Sequence, residues 1–461
     1  MNIQQSLTFA QKNTDRFFEE LNAFIAIESV SSDPQRSQDV RKAADWLSNK
    51  LKSLGLDHVT IFDTPLHPVV YAEKVFDTSA PTILVYGHYD VQPESPVELW
   101  NTPPFEATVV DNRLVGRGAT DMKGQIIAGL AAIEALLFGK EELPFNLKFI
   151  YEGEEEIGSP SIRAFLEEHK ELLAADVVLN LDAGMINVDT PSITYALRGL
   201  AYFELLVKGP AQDLHSGIFG GVVDNPAIVL SQLLAGMKDD QHRITLPGFY
   251  DDVRLLSDKE REELARVPQT ADTYRSQTGV PQLAGEQGYT CIEQNTARPT
   301  LDVHGLLSGF IGEGAKTVIP AWALAKISMR LVPDQDPAKV ADQLKQYLSK
   351  NAPLTVIWEL KTFTGGYPAF CDPDQPASKA LQNAFELTWG KRPVLKREGA
   401  SIPIVTEMKE ILGVDSVLSG FALPEDNMHA PNETLNLEVW RKGILTIIHF
   451  FDQYSKQMAD A

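Results

Sequence analysis

The stretch YEGEEEIGSP, Tyr151 to Pro160, sets Glu154, Glu155 and Glu156 side by side, after an apolar run and before a helix signal. Adjacent carboxylates repel one another, and burial drives them to protonate. Divalent cations remove that cost. Similar side chains follow other apolar runs: GHYD supplies His88 and Asp90, and LDAG supplies Asp182. GRGATDMKG supplies Asp121 ahead of a helix, in a Gly-rich setting that permits an unusual backbone there. A histidine with several carboxylates and no cysteine suits Zn²⁺ or Mn²⁺. His88, Asp121, Glu155, Glu156 and Asp182 are enough for two ions sharing one carboxylate. Asp90, two residues after His88, is spaced to accept the imidazole N–H and orient the ring. Each piece also has a plain structural reading. Glutamates at a helix start are favoured by the helix dipole, and a single His or Asp in a turn is commonplace. The recurrence at successive strand ends favours chemistry, because no folding reason calls for acid there.

These residues need elements to hold them at one edge. Thr82–Tyr86 reads as a buried strand, as do the runs ending at Glu152 and Leu181. Helices are expected over Thr14–Val30, Asp39–Gly55 and Asp121–Gly139, and after the glutamates with Ser159 as N-cap and Pro160 in the first turn. Alternating strands and helices predict an α/β fold with a mostly parallel sheet flanked by helices. In such sheets ligands sit beyond the carboxyl ends of the strands. From Ser192 to Pro210 the pattern changes to paired, alternating strands, with more strands in Ala321–Pro333 and Pro353–Gly366. This predicts a separate α+β domain inserted over 199–363, splitting the first domain into 1–198 and 364–461. Thr245–Thr296 reads as helix and loop within the insert.

Composition narrows the class. The chain has 461 residues, 44% of them hydrophobic, and a net charge of -22. That acidity argues against a nucleic-acid partner and against an anionic membrane surface. No apolar run is long enough to span a membrane, and the N-terminal sequence lacks a secretory pattern. The two cysteines, Cys291 and Cys371, form no framework or metal motif, which fits a reducing cytoplasm.

Nine stretches occur in order: GHYDVQP, GRGATDMKGQ, YEGEEEIGS, LNLDAG, DLHSG, GAKTVIP, SMRLVP, REGASIP and DNMHAPNE. Together they resemble the M20 family of metallopeptidases, and within it the branch of cytosolic nonspecific dipeptidases and carnosinases. The likeness spans Ile25 to Phe450, and TYALRGLAYFELLVKGPAQDLHSGIFGG points to that branch in particular.

The resemblance implies hydrolysis of dipeptides at two divalent ions, Zn²⁺ before Mn²⁺, by a catalytic first domain with the insert as its lid or dimerisation domain. It makes His88 and Asp182 ligands of one ion, Glu156 and His429 ligands of the other, and Asp121 the bridge. Glu155 becomes the general base. Glu154 is left without chemistry, facing solvent or a local cation. His215 in DLHSG would stabilise the tetrahedral oxyanion in a partner subunit's site, which implies a homodimer. Arg330 would clamp the substrate's C-terminal carboxylate, for which a planar guanidinium is well shaped. Thr317, Gly399 and Ser401 resemble further substrate contacts, and Glu398 resembles an acceptor for the free amino group. Taken singly, His215 reads as a loop histidine and Arg330 as a strand-edge ion pair. The rival functions are an N-acyl-amino-acid deacylase, desuccinylase or carboxypeptidase of the same family, and, from another class, a noncatalytic metal-stabilised binding protein. Retention of Glu155 beside a full ligand set speaks against the last.

Overall fold

The computed structural model describes residues 3–139, 142–363, 365–399 and 402–459. The chain divides into two compact units. The first comprises Met1–Tyr195, Cys371–Lys396 and Pro403–Ala461, and the second Ala196–Phe370 with Arg397–Ile402.

The first unit is built on a mixed sheet. Its strands lie in the order Asp57–Phe62, Val69–Lys74, Asn146–Glu152, Thr82–His88, Val177–Asn180, Ser416–Leu418 and Ser192–Leu197. The four central strands, from Asn146–Glu152 to Ser416–Leu418, run parallel. The flanks are antiparallel, with Val69–Lys74 against Asn146–Glu152 on one side and Leu418 opposite Thr194 on the other. The parallel character thus holds at the centre, where both faces are covered and the strands can be apolar on both. Thr82–His88 shows it: Ile83, Leu84, Val85 and Tyr86 are all buried.

Helix Lys123–Leu137 is the most enclosed element, buried at nearly every position. Its sequence, KGQIIAGLAAIEALL, has no polar stripe, as expected of a helix surrounded by protein. Helix Leu437–Ala459 packs against it, and Trp440 Nε1 donates to the Gly124 carbonyl at 2.8 Å. Gln125 reaches the other way. Its Nε2 donates to the Ala183 carbonyl at 3.1 Å and its Oε1 accepts from the Phe421 amide at 2.8 Å. The helix that follows Asp121 is therefore tied to the loop that follows Asp182.

The second unit has a four-stranded antiparallel sheet ordered Thr300–Ser308, Trp322–Leu331, Gly199–Lys208, Ile357–Thr362. Alternate residues of Gly199–Lys208 are buried, among them Phe203, Leu205 and Val207. Helices Pro226–Gly236 and Pro337–Asn351 cover that face with Leu230, Leu233, Leu344 and Leu348. Helices Asp258–Leu264, Ala271–Thr278 and Cys291–Thr296 occupy the polar stretch between.

Two local expectations are corrected. The strands within 192–210 do not pair with each other. Ser192–Leu197 belongs to the first sheet and is buried throughout, while Gly199–Lys208 belongs to the second. One residue, Arg198, separates them, too short a turn for a hairpin. The helix after the glutamates starts at Ile162, with Ser161 in the N-cap position instead of Ser159. Gly158 and Ser159 both take positive φ, +86° and +51°, and use up the intervening residues in a turn. Among the described residues, no helix is long and apolar enough to cross a membrane.

The close packing around helix Lys123–Leu137 makes a stability prediction. A Cβ on Gly124 would lie 2.1 Å from the Ala119 carbonyl oxygen and 2.7 Å from Leu435 Cδ2, whereas one on Gly129 would meet nothing nearer than 3.5 Å. Gly124→Ala is expected to cost about 3 kcal/mol through overpacking. Gly129→Ala is expected to be neutral or to gain up to about 1 kcal/mol of helix propensity. Urea titration checks both: the midpoint should fall for the first and hold or rise for the second.

Candidate metal centre

Because Thr82–His88 has parallel neighbours on both sides, three strands end at the same edge of the sheet. Those ends deliver His88, the Glu154–Glu156 turn and Asp182. Asp121 comes from the loop ahead of helix Lys123–Leu137, and its peptide bond to Met122 is cis. His429 comes from a loop near the end of the chain, at φ +61°. His88, Asp90 and Asp121 are buried, while His429 is exposed.

The side chains meet in two groups. His88, Asp121 and Asp182 form one; Asp121, Glu156 and His429 form the other. In each, the candidate ligand atoms lie within 4.8 Å of one another. His88 Nε2 is 3.2 Å from Asp121 Oδ1 and 3.9 Å from Asp182 Oδ1. His429 Nε2 is 2.9 Å from Asp121 Oδ2 and 3.3 Å from Glu156 Oε2. Asp121 thus offers one oxygen to each group. Ligand atoms about 2.1 Å from a tetrahedral cation lie ~3.4 Å apart, so the spacing fits an ion in each group. The donor set, nitrogen and oxygen without sulfur, suits Zn²⁺ or Mn²⁺ alike.

The electrostatics also call for cations. Burial pushes the Glu155 carboxyl up to about 9, with His88 opposing and Asp182, Glu156 and Asp90 adding to the rise. Burial likewise pushes Asp182 up to about 7, against the pull of His88. Hydrogen bonds to Asp121 and Glu156 raise the His429 imidazole to about 10. Burial works against the charged form of Asp121, yet His429 and His88 outweigh it and hold that carboxyl below the usual range. Carboxyls that cannot all ionise, beside histidines that are drawn to charge, mark a cavity short of positive charge.

The chain fixes these side chains through a further set of contacts. His88 Nδ1 is 3.1 Å from the Asp90 carbonyl oxygen and 3.4 Å from its carboxylate. A proton on Nδ1 leaves the Nε2 lone pair facing Asp121 and Asp182. The Asp90 carboxylate, beside the imidazole as expected, has a second task as well. It accepts the backbone N–H groups of Glu155, at 3.3 Å, and Glu156, at 3.1 Å. Gln92 Nε2 donates to Glu156 Oε2 at 2.8 Å.

Glu154 departs from expectation entirely. It is 2% exposed, and faces neither solvent nor a cation. Oε1 accepts from Thr64 Oγ1 and the His67 amide, both at 2.8 Å, and Oε2 accepts from the Ser161 amide at 3.0 Å. The third glutamate therefore pins the turn that presents the other two.

Glu433 was given no role from sequence, although it closes the DNMHAPNE stretch. Its buried carboxylate accepts from the amides of Gly118, Thr120 and Asp121 at 3.0, 3.0 and 3.1 Å and pairs with Arg117 at 2.8 Å. The loop that carries Asp121 is thereby fastened to the loop that carries His429. The acid four residues beyond a histidine and the arginine in GRG were the available signals, but nothing in the sequence joins them.

The remaining candidates lie in the second unit. Strand Leu214–His215 pairs with Val318–Ile319, and the Ser216 amide donates to the Thr317 carbonyl at 3.2 Å, so His215 and Thr317 are neighbours. Both are exposed, and His215 Nδ1 accepts from the Gly217 amide at 3.0 Å. Arg330 lies on strand Trp322–Leu331, opposite Thr300 and Leu200. Glu398 ends strand Val394–Glu398, and Gly399 follows it. Ser401 lies outside the described residues.

Comparisons with known proteins agree with this geometry. Residues 84–453 match the profile of peptidase family M20/M25/M40. The Cys-Gly metallodipeptidase DUG1 of Candida albicans is 33% identical over 462 residues, covering 96% of this chain and 95% of that protein. The Beta-Ala-His dipeptidase of Homo sapiens is 30% identical over 468 residues, covering 97% and 92%. Among solved structures, the M20 family metallo-carboxypeptidase Sso-CP2 of Sulfolobus solfataricus aligns with a TM-score of 0.80 at 33% identity, covering 95% of this chain and 99% of that one. The dipeptidase Dug1p of Saccharomyces cerevisiae aligns with a TM-score of 0.76 at 29% identity, covering 99% of each. With most of its length matched and two histidine-carboxylate groups joined by one aspartate, the chain belongs to peptidase family M20/M25/M40 and is a metallopeptidase.

Proposed function

We propose that this protein hydrolyses the peptide bond of free dipeptides. The observation that carries the chemistry is Asp121, which faces His88 and Asp182 with one oxygen and His429 and Glu156 with the other. The substrate class is supported by relatives that are dipeptidases over nearly their whole length. Two divalent ions held there, both Zn²⁺ or alternatively both Mn²⁺, would polarise the scissile carbonyl and acidify a water molecule.

The protein's own groups do the rest. Glu155, next to the Glu156 ligand and held by Asp90, takes the proton from the attacking water. It then returns it to the leaving nitrogen. A carboxyl whose burial raises its proton affinity is suited to that role once cations have supplied the missing charge. In the second unit, His215 stabilises the oxyanion of a partner subunit's site in a homodimer, beside Thr317. Arg330 binds the substrate carboxylate, Glu398 its amino group, and Gly399 and Ser401 complete the seat. This assignment rests on the resemblance of their motifs. Two unpaired cysteines suit a reducing cytoplasm.

A carboxypeptidase is the second reading, favoured by the likeness to Sso-CP2. A panel of free dipeptides, a tripeptide, longer peptides and N-acetyl amino acids separates the readings. It is to be run on metal-stripped protein restored with Zn²⁺ or Mn²⁺. Metal-dependent cleavage confined to the dipeptides is expected. Release of C-terminal residues from longer peptides would move the protein to the carboxypeptidase reading, and cleavage of the acetylated compounds alone to the deacylases.

Glu155→Gln should keep its metal and lose on the order of 10³-fold or more in kcat; near-normal turnover would remove Glu155 from the role of base. Elemental analysis should find both ions depleted in Asp121→Asn, but only about one missing in Asp182→Asn or Glu156→Gln. Mixing His215→Ala with Glu155→Gln should restore part of the activity if the site is shared across a dimer. No recovery in demonstrated heterodimers would place the site in one chain.

A further inference from the structure

Arg198 occupies the single residue between strands Ser192–Leu197 and Gly199–Lys208 and is only 7% exposed. Its Nε donates to the Gly399 carbonyl at 2.9 Å. Gly399 is closed in on both sides. A Cβ there would stand 3.1 Å from Arg198 Nη2 and 3.1 Å from the Asn295 carbonyl oxygen, on helix Cys291–Thr296. The segment that ends strand Val394–Glu398 is therefore held between a guanidinium and a helix, at a spacing that only glycine allows without displacement.

Arg198 directly precedes strand Gly199–Lys208, in which Leu200 lies opposite Arg330 on the neighbouring strand, so the two arginines lie close along the sheet. Burial, and then the positive charge of Arg330, push the Arg198 guanidinium down to about 10, while Asp302, Glu398 and Tyr274 act the other way. Setting a buried guanidinium near a second one is costly. A ligand carboxylate would add to the acids that offset that cost, and it matches the planar donor fork of arginine.

We propose that Arg198 is a positioning residue for substrate recognition: through Gly399 it fixes the Glu398–Gly399 segment, and with Arg330 it sets a positive field that selects ligands with a free carboxylate. The inference rests on the reading of Arg330 and Glu398 as contacts for the two ends of a dipeptide. It adds a residue that does not touch the reacting atoms and acts through others.

The test uses the full-length, metal-loaded protein as wild type, Arg198→Gln, Arg198→Lys and Gly399→Ala. One dipeptide is assayed as the free acid and as its C-terminal amide. Arg198→Gln should raise KM for the acid about tenfold and KM for the amide only about threefold, the shared part coming from the loosened Glu398–Gly399 segment, with kcat nearly unchanged. Arg198→Lys, which keeps the charge, should restore part of the preference for the acid. Gly399→Ala, whose Cβ crowds the guanidinium, should shift KM in the same direction, and Arg198→Lys, through its partly reduced preference for the acid, carries the test if Arg198→Gln does not fold. Equal KM changes for acid and amide, or a fall in kcat alone, would overturn the proposal. Calorimetric binding of a reduced-amide isostere of the dipeptide, as acid and as amide, gives a readout independent of turnover. A wild type that cleaves no dipeptide counts against the proposed function. An isostere acid whose Kd is unaltered by Arg198→Gln counts against the role of Arg198.

Discussion

Mutual repulsion among buried and half-buried carboxylates is the constraint that the first unit is organised around. Asp90, Asp121, Glu155, Glu156 and Asp182 gather at one edge of a sheet, where water is scarce and unlike charges are few. The fold gives each acid a different answer. Asp90 is neutralised by backbone amides, Asp121 by two imidazoles, and Glu156 by an imidazole and the Gln92 amide. Glu155 and Asp182 are left with proton affinities raised by burial. The arrangement is therefore graded. The acids that hold structure are satisfied by the protein itself, and those nearest the proposed chemistry depend on what is bound.

A second layer of acids keeps the first in place. Glu154 and Glu433 are more deeply buried than the side chains they support, and each is surrounded by donors from separate loops. Charge-assisted hydrogen bonds of this kind are stronger than neutral ones and more sensitive to geometry. They convert loops that would otherwise be mobile into fixed mounts. The proposed pair of ions would need such rigidity, since small displacements of a ligand sharply reduce metal affinity.

The strand ends were legible because each apolar run stops at a residue that has no reason to be buried. His88, the glutamates and Asp182 could be picked out on that basis, as could the alternation of Gly199–Lys208. The link between Asp121 and His429 was not legible from spacing, because 308 residues separate them, and it came only with the resemblance. Glu154 was misread because a carboxylate among carboxylates looks solvated until its donors, Thr64, His67 and Ser161, are known. The division at Arg198 was missed for a related reason. Two adjacent β-type runs look like a hairpin, and only tertiary pairing shows that they serve different sheets.

The fastening of the Asp121 loop to Glu433 has a consequence in time. The amides of Gly118, Thr120 and Asp121 wait for an acceptor that lies more than 300 residues further along the chain. Chains emerge from the ribosome N-terminus first, at a pace of about 5–20 residues per second. Most of the acids are therefore made early, while the clasp that sets the shared aspartate is made much later, together with His429. The backbone that sets the shared aspartate therefore gains its acceptor only after more than 300 further residues have been made.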